Sequence, residues 1–335
     1  MGASAGGLTA LFDIVRGLPR DFPAAVFVAM HMSPDNPGVL SDLLRRVSRL
    51  PTGLAQDRQA IERGRIYVAR PDHHLLIKRA YVRVTRGPKE NGFRPAVDPL
   101  FRSAAAAYGA RVIGVVLSGG LDDGTEGLLR ITEAGGLAIA QDPAEATIPS
   151  MPLSAIQNVE VHGVLPAAAI PELLLRLVQE RVADPLGLGP APSDDEAERG
   201  TVLQEGEPAG TRSPYTCPEC GGALWEAPGA DKLLRFRCHV GHGFTAEALL
   251  SGQSAKLEGA LWGALRALEE NAALYRQQAE RSGKAGYAGL AQQYEKSALE
   301  IEDYADTLRP LVHRNSPRLT PPAPTAPPPD AAAEK

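Results

Sequence analysis

The sequence predicts an α/β fold: a doubly wound, mostly parallel sheet with an antiparallel hairpin, followed by a small Cys/His module and a helical hairpin. Residues 1–182 alternate short apolar runs with amphipathic patterns, as parallel sheets with crossover helices do. All three cysteines fall between positions 217 and 238, which indicates a separate module. Residues 254–313 carry apolar side chains at spacings of three and four, which is typical of helices.

Composition limits the possible functions. The chain has 335 residues, 44% of them apolar, and a formal net charge of −5. Nonspecific nucleic-acid binding needs a basic surface, so we expect no nucleic-acid partner. No stretch approaches the roughly 18 consecutive apolar residues of a membrane span, and no signal peptide is visible. Few, clustered cysteines fit a reducing compartment, so we expect a cytoplasmic protein that is not inserted in a membrane.

The first 182 residues contain three clear strand candidates, Ala24–Met30, Val112–Leu117 and Leu137–Ala140. The stretch Arg65–Val84 holds three short β-rich runs in close succession. Close spacing of that kind favours antiparallel pairing, so we predict a small antiparallel hairpin or meander there.

The rest of the chain divides into four segments. Residues 183–213 have few apolar anchors and are predicted to be a disordered linker. Residues 214–250 form the Cys/His module, residues 254–313 the helical hairpin, and residues 314–335 a disordered Pro/Ala-rich tail. Gly283 and Gly286 lie in the predicted break of the hairpin. The apolar face of the hairpin either packs on itself or on the Cys/His module, which we favour, or serves self-association or docking to a signalling partner.

The first candidate site is the glycine-rich segment Gly2–Gly7, which contains Ser4 and precedes an amphipathic run. A glycine-rich turn that opens a helix directs backbone N–H groups to one point. Three interpretations remain open on this motif alone: Ser4 is a nucleophile, the turn binds phosphate, or Ser4 is a helix N-cap.

His31 and Asp123 also follow predicted strands, where α/β sheets build their sites. Taken singly, His31 fits a histidine at the core edge and Asp123 fits a helix cap. Together with Ser4 they make a nucleophile, a base and an acceptor that orients the base. The backbone amides near Ala5 and Gly120 are candidate donors to an oxyanion.

At this point the sequence resembles the catalytic domain of chemotaxis protein-glutamate methylesterases of the CheB type. The matching motifs appear in the family's order: GASAGG at 2–7, AMHM at 29–32, IYVA at 66–69, PDHH at 71–74, RP at 94–95, VDPLFRS at 97–103, LSGGLDDGTEG at 117–127, and MP at 151–152 before AI at 155–156. They span nearly all of residues 2–178.

The resemblance implies a Ser4 nucleophile, a His31 general base and acid, and an Asp123 that orients the ring. It implies hydrolysis of glutamate γ-methyl esters on methyl-accepting chemoreceptors, with glutamine deamidation as a second activity and no catalytic cofactor. The alternative is a regulatory or binding module on the same scaffold in a receptor-like pathway. The resemblance is to a stand-alone form without a receiver domain. In the family a strand precedes the GAS turn, so we expect that strand to be missing from residues 1–182.

Several neighbouring residues leave choices open. Asp122 adjoins Asp123, and the family alignment favours Asp123. His73 and His74 are competing bases, which their place in the predicted hairpin makes more suitable as rim residues. Arg94 and Arg102 are candidates for contact with a glutamate-rich receptor helix, and solvated surface arginines are the equal alternative.

The Cys/His module has the spacing of a metal site. Cys217 and Cys220 form a C-x2-C knuckle, and Cys238 with His242 forms a distant C-x3-H pair. Four such ligands suit a tetrahedral structural zinc. His239 is the alternative fourth ligand, but its position next to Cys238 makes binding to the same metal awkward. A similar segment accompanies some stand-alone methylesterase-like proteins. The metal-free alternative is three buried thiols.

Overall fold

A computed structural model describes residues 1–180, 210–226 and 233–314. The chain divides into two compact units, Met1–Gly252 and Gln253–Lys335. Among the described helices, none combines the length and the apolar character needed to cross a membrane. The predicted linker lies outside the described residues except for positions 210–213, and the predicted tail does so except for position 314.

The centre of the first unit is a seven-stranded sheet in the order β3-β4-β2-β1-β7-β8-β9, in which all neighbouring strands run parallel. Its strands are β1 (Gly2–Ala3), β2 (Val26–Met30), β3 (Thr52–Leu54), β4 (Ile66–Val68), β7 (Ile113–Val116), β8 (Leu137–Gln141) and β9 (Gly163–Leu165). Two further strands, β5 (His74–Ile77) and β6 (Val82–Thr85), form the antiparallel hairpin. This confirms the predicted fold class.

Helices cover both faces of the sheet, and their residue patterns explain why. They are α1 (Gly7–Gly17), α2 (Val39–Val47), α3 (Val97–Tyr108), α4 (Thr125–Glu133), α5 (Ser150–Asn158) and α6 (Ile170–Gln179). One buried apolar cluster joins α1, α2 and α6 to the sheet, and a second joins α3, α4 and α5 to it. Strands that are covered on both faces become almost wholly apolar, as Val26–Met30 is.

The segment Arg65–Val84 corrects the sequence-based prediction in part. Ile66–Val68 is not in an antiparallel meander but is β4, which pairs in parallel with β2 and β3 in the main sheet. All three of its residues are buried, so both faces need cover that a small hairpin does not provide. The strand before the GAS turn, which was expected to be missing, is present as the two-residue strand β1 (Gly2–Ala3) between β2 and β7. The short strands β3 and β9 were not predicted either.

The Cys/His module is an antiparallel sheet of four strands: β10 (Thr211–Thr216), β11 (Ala223–Glu226), β12 (Arg235–Cys238) and β13 (Gly243–Thr245). Its small core contains Leu224, Phe236 and Phe244 beside two of the cysteines. The first strand begins at Thr211, three residues before the predicted start of the module.

Two long helices follow, α7 (Ala246–Lys284) and α8 (Ala288–Arg314). The break near Gly286, which has φ of +84°, lies where the glycines predicted it, but α7 begins eight residues earlier than predicted. Within the second unit the helices pack on each other through Leu265 and Ala305, and Arg276 pairs with Glu302. The hairpin therefore packs on itself, as favoured from the sequence.

Candidate active site and metal centre

Ser4 lies at the carboxyl end of β1, at the centre of the sheet. Its amide donates to the Ser118 carbonyl over 3.0 Å, and its own carbonyl accepts from the Gly7 amide over 3.0 Å. The N-cap of α1 is Gly6, in the left-handed region with φ of +76°, and no side chain caps the helix. Ser4 is therefore not the helix cap, and within the described part of the chain its hydroxyl has no hydrogen-bond partner.

His31 is brought next to Ser4 by the register of two parallel strands. Ala3 pairs with Met30, so Ser4 and His31 are the next residues of adjacent strands. The His31 amide donates to the Ala3 carbonyl over 3.1 Å, which extends the pairing to the site itself. Adjacent strands lie about 4.8 Å apart, so the two side chains begin from neighbouring backbone positions.

Asp123 meets the ring of His31 although 92 positions separate them in the chain. His31 Nε2 lies 2.6 Å from Asp123 Oδ2, and both side chains are almost completely buried. The other ring nitrogen, Nδ1, is buried without a hydrogen-bond partner among the described residues. Because Asp123 occupies Nε2, Nδ1 is the nitrogen left for a hydroxyl or a substrate.

Asp122 and Asp123, which adjoin in the chain, have different hydrogen-bond partners. Asp123 bonds to His31, whereas Asp122 Oδ1 accepts from the Thr245 hydroxyl over 2.7 Å. Asp123 does not cap α4 either, since Gly124 holds the cap position and no side chain caps the helix.

The carboxylate of Asp123 accepts further hydrogen bonds that the sequence did not predict. The first two amides of α3, from Val97 and Asp98, donate to it over 2.6 and 3.1 Å, and Asn91 Nδ2 donates over 3.1 Å. Burial acts to raise the pKa of Asp123, but the bond from His31 and the α3 amides hold the pKa below its ordinary value. Asp123 is thus kept ionised beside His31.

Phe93 completes the environment of the imidazole. Its ring stacks on that of His31 with centroids 3.8 Å apart and planes 9° apart. This contact fixes the plane of the imidazole and keeps water from one of its faces. The only sequence signal for Phe93 is its position directly before the Arg94-Pro95 pair of the family motif.

The predicted oxyanion donors are the backbone amides of Ala5 and Gly120. Ala5 follows Ser4 directly, and the loop that contains Gly120 approaches from β7. A side chain at Gly119 would place its Cβ 2.7 Å from Ser4 Cβ, so only glycine allows this approach. The Gly119 amide donates to the Ile148 carbonyl. The amides of Ala5 and Gly120 donate a hydrogen bond to none of the described residues.

Arg94 and Arg102 are both engaged inside the molecule. Arg94 Nε donates to Asp72 over 2.9 Å, and Arg102 pairs with Glu90 and Glu126 over 2.6 and 2.9 Å. Both earlier interpretations assumed exposed guanidinium groups, but these side chains are only 16% and 21% exposed. A receptor carboxylate would have to compete with these internal pairs.

Of the two competing histidines, His74 departs from the prediction of a rim residue, whereas His73 is partly exposed. His74 is buried in β5, where it accepts from the Ala96 amide and Nε2 lies 2.9 Å from the Pro88 carbonyl, so it is not a rim residue. Burial lowers the pKa of His74, which keeps it neutral. His73 Nδ1 lies 2.8 Å from the Pro71 carbonyl. His74 therefore has no ring nitrogen left for a serine.

Cys217, Cys220, Cys238 and His242 converge on one point, with all four ligand atoms within 4.8 Å of one another. The Cys220 and Cys238 sulfurs are 3.7 Å apart, and His242 Nδ1 lies 3.5 Å from Cys238 Sγ. A tetrahedron with metal–sulfur bonds of about 2.3 Å has edges of roughly 3.8 Å, so the spacing fits a tetrahedral metal ion. His239 is outside this cluster, and its side chain lies against Gly222.

The raised pKa of Asp122 predicts that the stability of the protein depends on pH. Burial first, then the charges of Glu247 and Asp123, raise its pKa to about 7, while the Thr245 hydrogen bond opposes them. The folded protein holds this proton more tightly than the unfolded chain, so stability is expected to fall as pH rises from about 4 to 7. Asp122→Asn keeps the acceptor for Thr245 but does not titrate.

We expect wild type to lose a few kcal/mol more than Asp122→Asn between pH 5 and pH 8. Chemical denaturation of both proteins at the two pH values, with zinc present throughout, measures this difference. Equal pH dependence in the two proteins would contradict the buried, protonated Asp122.

Comparison with known proteins places these features in a family. Residues 1–174, about half of the chain, match the family described as CheB methylesterase. A relative from Leptospira interrogans, named putative protein-glutamate methylesterase/protein-glutamine glutaminase, is 37% identical over 54% of this chain and 95% of its own length. A relative from Anaeromyxobacter dehalogenans, named protein-glutamate methylesterase/protein-glutamine glutaminase 2, is 39% identical over 53% of this chain and 52% of its own length.

A solved structure shows the same likeness. The crystal structure of the Thermotoga maritima CheB methylesterase catalytic domain matches with a TM-score of 0.52 and 36% sequence identity. It covers 53% of this chain, and the match includes 96% of the Thermotoga chain. The similarity is therefore to a whole catalytic domain.

Proposed function

This chain belongs to the CheB methylesterase family, and from that premise we propose that it hydrolyses glutamate γ-methyl esters on methyl-accepting chemoreceptors or receptor-like proteins. The observation that carries the proposal is the buried His31–Asp123 pair beside Ser4, with one imidazole nitrogen unpartnered among the described residues. The match to the CheB methylesterase family covers residues 1–174, which include this site.

In the proposed reaction, Ser4 Oγ attacks the ester carbonyl carbon while His31 Nδ1 takes the hydroxyl proton. Asp123 stabilises the imidazolium that forms. The amides of Ala5 and Gly120 donate to the oxyanion of the tetrahedral intermediate. Collapse of that intermediate breaks the carbon–oxygen bond, and His31 gives its proton to the departing methoxide, which leaves as methanol.

Water then completes the cycle. His31 removes a proton from a water molecule, and the hydroxide attacks the acyl-Ser4 carbonyl. When the second intermediate collapses, its bond to Ser4 Oγ breaks and His31 returns the proton to Ser4 Oγ, which releases the glutamate side chain as its carboxylate. The same steps on a glutamine side chain release ammonia in place of methanol. We therefore propose deamidation as a second activity, and the double names of the relatives support it.

The test uses the full chain with a receptor whose glutamates carry isotopically labelled methyl esters. Release of labelled methanol is expected, together with ammonia from a receptor that has glutamine at the same positions. A protein that reacts at Ser4 with a fluorophosphonate but releases neither product would be a hydrolase with another target. A protein with neither reaction would support a non-catalytic regulatory module instead.

We further propose that Cys217, Cys220, Cys238 and His242 hold one structural zinc ion. Sulfur and imidazole donors in tetrahedral spacing suit zinc, and four protein ligands leave no open position for catalysis. Elemental analysis of protein purified without chelator is expected to give about one zinc per chain. Protein that contains no metal would contradict this assignment.

We propose a cytoplasmic location for the activity. The three cysteines are free thiols arranged as metal ligands, which suits a reducing compartment. Fractionation of cells, followed by detection of the chain, tests this proposal.

A further inference from the structure

The Cys/His module lies directly against a turn of the catalytic domain formed by residues 89–93, here called the coupling turn. The Gly243 amide at the start of β13 donates to the Lys89 carbonyl over 3.3 Å. The Asn91 amide donates back to the Gly243 carbonyl over 2.8 Å. β13 thus holds the coupling turn by backbone pairing, as an added strand would.

Asn91 connects this pairing to the catalytic carboxylate. Its side-chain Oδ1 accepts from the Thr245 amide over 3.0 Å, and its Nδ2 donates to Asp123 over 3.1 Å and to Asp98 over 3.1 Å. Asn91 is only 4% exposed, so water does not replace these bonds. The carboxamide therefore bridges the module and Asp123.

Thr245 makes a second contact, with the residue that precedes Asp123. The Thr245 hydroxyl donates to Asp122, the neighbour of Asp123 in the chain, and accepts from the Ala248 amide over 3.1 Å. Thr245 is 2% exposed. One residue of the module thus holds both Asn91 and the residue next to Asp123.

Buried charges fix the coupling turn in place. Glu90 is 2% exposed and pairs with Arg102 of α3 over 2.6 Å and with Arg235 of β12 over 3.4 Å. Burial acts to raise the pKa of Glu90, but these guanidinium groups hold it well below its ordinary value. The same turn ends at Phe93, which stacks on His31. Both members of the His31–Asp123 pair thus contact the turn.

The metal cluster adjoins the strands that make these contacts. Cys238 is the last residue of β12, and His242 immediately precedes β13. The Cys238 amide donates to the His242 carbonyl over 3.1 Å, which closes the turn between the two ligands. A metal bound to both side chains would fix the path of the chain three residues before Thr245.

We propose that the Cys/His module is a positioning element of the esterase site, and that Asn91 and Thr245 transmit metal occupancy to Asp123. This inference rests on the proposed triad. Asn91 is a positioning residue, because it reaches the substrate only through Asp123 and His31. Loss of its N–H donor leaves the buried carboxylate of Asp123 with one fewer hydrogen bond. We expect this change to lower the rate of the reaction at Ser4 about tenfold or more.

The main test substitutes Asn91 in the full chain. Asn91 has φ of +53°, which glycine adopts without strain, so Asn91→Gly removes the carboxamide and leaves the backbone path intact. We expect the rate of Ser4 labelling by a fluorophosphonate, and kcat for methanol release, to fall about tenfold or more with KM unchanged. Asn91→Asp keeps the acceptor for Thr245 but places a third carboxyl group against Asp98 and Asp123, so its loss of rate is expected to vary with pH, unlike that of Asn91→Gly.

Metal removal is the second measurement. Chelation of wild type, verified by elemental analysis, is expected to slow Ser4 labelling about tenfold and to abolish the downfield proton resonance of the His31–Asp123 hydrogen bond. Added zinc is expected to restore both. In Asn91→Gly, chelation is expected to have little further effect, because the two changes act through one contact and are not additive.

Lys89→Gln is the matched control. Lys89 forms a partly exposed ion pair with Glu219, which lies between Cys217 and Cys220 in the chain. Its ammonium forms no hydrogen bond to Asn91 or Asp123. Exposed pairs contribute little, so labelling and kcat are expected to stay at wild-type values. An equal loss in this variant would show general loosening and overturn the proposal.

Two other results would overturn it. One is wild-type labelling in Asn91→Gly, and the other is complete metal removal with no change in labelling or in the His31 resonance. The labelling series needs no receptor. Labelling that depends on Asn91 and zinc, without methanol release, would therefore reject the proposed substrate and support the positioning role.

Discussion

Ser4→Ala is expected to lower kcat for methanol release by at least about 10⁴-fold and to abolish fluorophosphonate labelling. The reason is that covalent catalysis has no substitute for the attacking oxygen, so only the binding and oxyanion contributions remain. Ser4 is 8% exposed, and its hydroxyl forms no hydrogen bond to the described residues. The melting temperature is therefore expected to stay close to that of wild type.

Ser118→Ala is the matched control for this experiment. Ser118 lies at the same edge of the sheet, but its hydroxyl donates to the Ala5 carbonyl and accepts from the Ile148 amide. Its removal is expected to lower stability by about 1–3 kcal/mol and to leave labelling at Ser4. If Ser4→Ala stays fully active, or if the label is found on Ser118, the assignment of the nucleophile is wrong.

His242→Ala is expected to remove zinc from the purified protein and to unfold the Cys/His module. Structural zinc contributes roughly 10–16 kcal/mol of apparent binding free energy in small modules, and loss of one of four ligands removes a large part of it. The module has a small apolar core, so metal binding has to supply much of its stability. Elemental analysis measures the zinc content, and limited proteolysis detects cleavage of the unfolded module beyond β10.

His239→Ala is the control, since His239 was the alternative fourth ligand from the sequence. Its side chain is exposed and is not part of the cluster of ligand atoms. We expect this variant to keep about one zinc per chain and the proteolysis pattern of wild type. Loss of zinc in His239→Ala with retention in His242→Ala would reverse the assignment of the ligand.

The elements that the sequence predicted correctly are those whose signal is local. The apolar run Val26–Met30 and the glycine break near Gly286 need only neighbouring residues to be recognised. Ile66–Val68 was assigned to the wrong sheet, because a short β-rich run does not reveal its partner. Ile66 and Val68 belong to one buried apolar cluster and Tyr67 to the other, so the burial of both faces depends on segments that are distant in the chain.

Position at a strand end was also enough to find the candidate site. Ser4, His31 and Asp123 follow strands whose carboxyl ends must share one edge of a parallel sheet. The roles of Arg94 and Arg102 were not readable in this way. Whether a guanidinium faces solvent or a buried carboxylate depends on which segments fold beside it.

The sequence by itself determined the fold class, the three candidate catalytic side chains and the four candidate metal ligands, because each has a pattern within a few residues of chain. Only the tertiary structure decided which imidazole nitrogen faces Asp123, and that Asn91 and Thr245 lie between the Cys/His module and that carboxylate. The contact of Asn91 with Thr245 spans 154 positions. Hydrogen bonds over such separations leave no periodicity in the sequence, since they depend on how whole units pack.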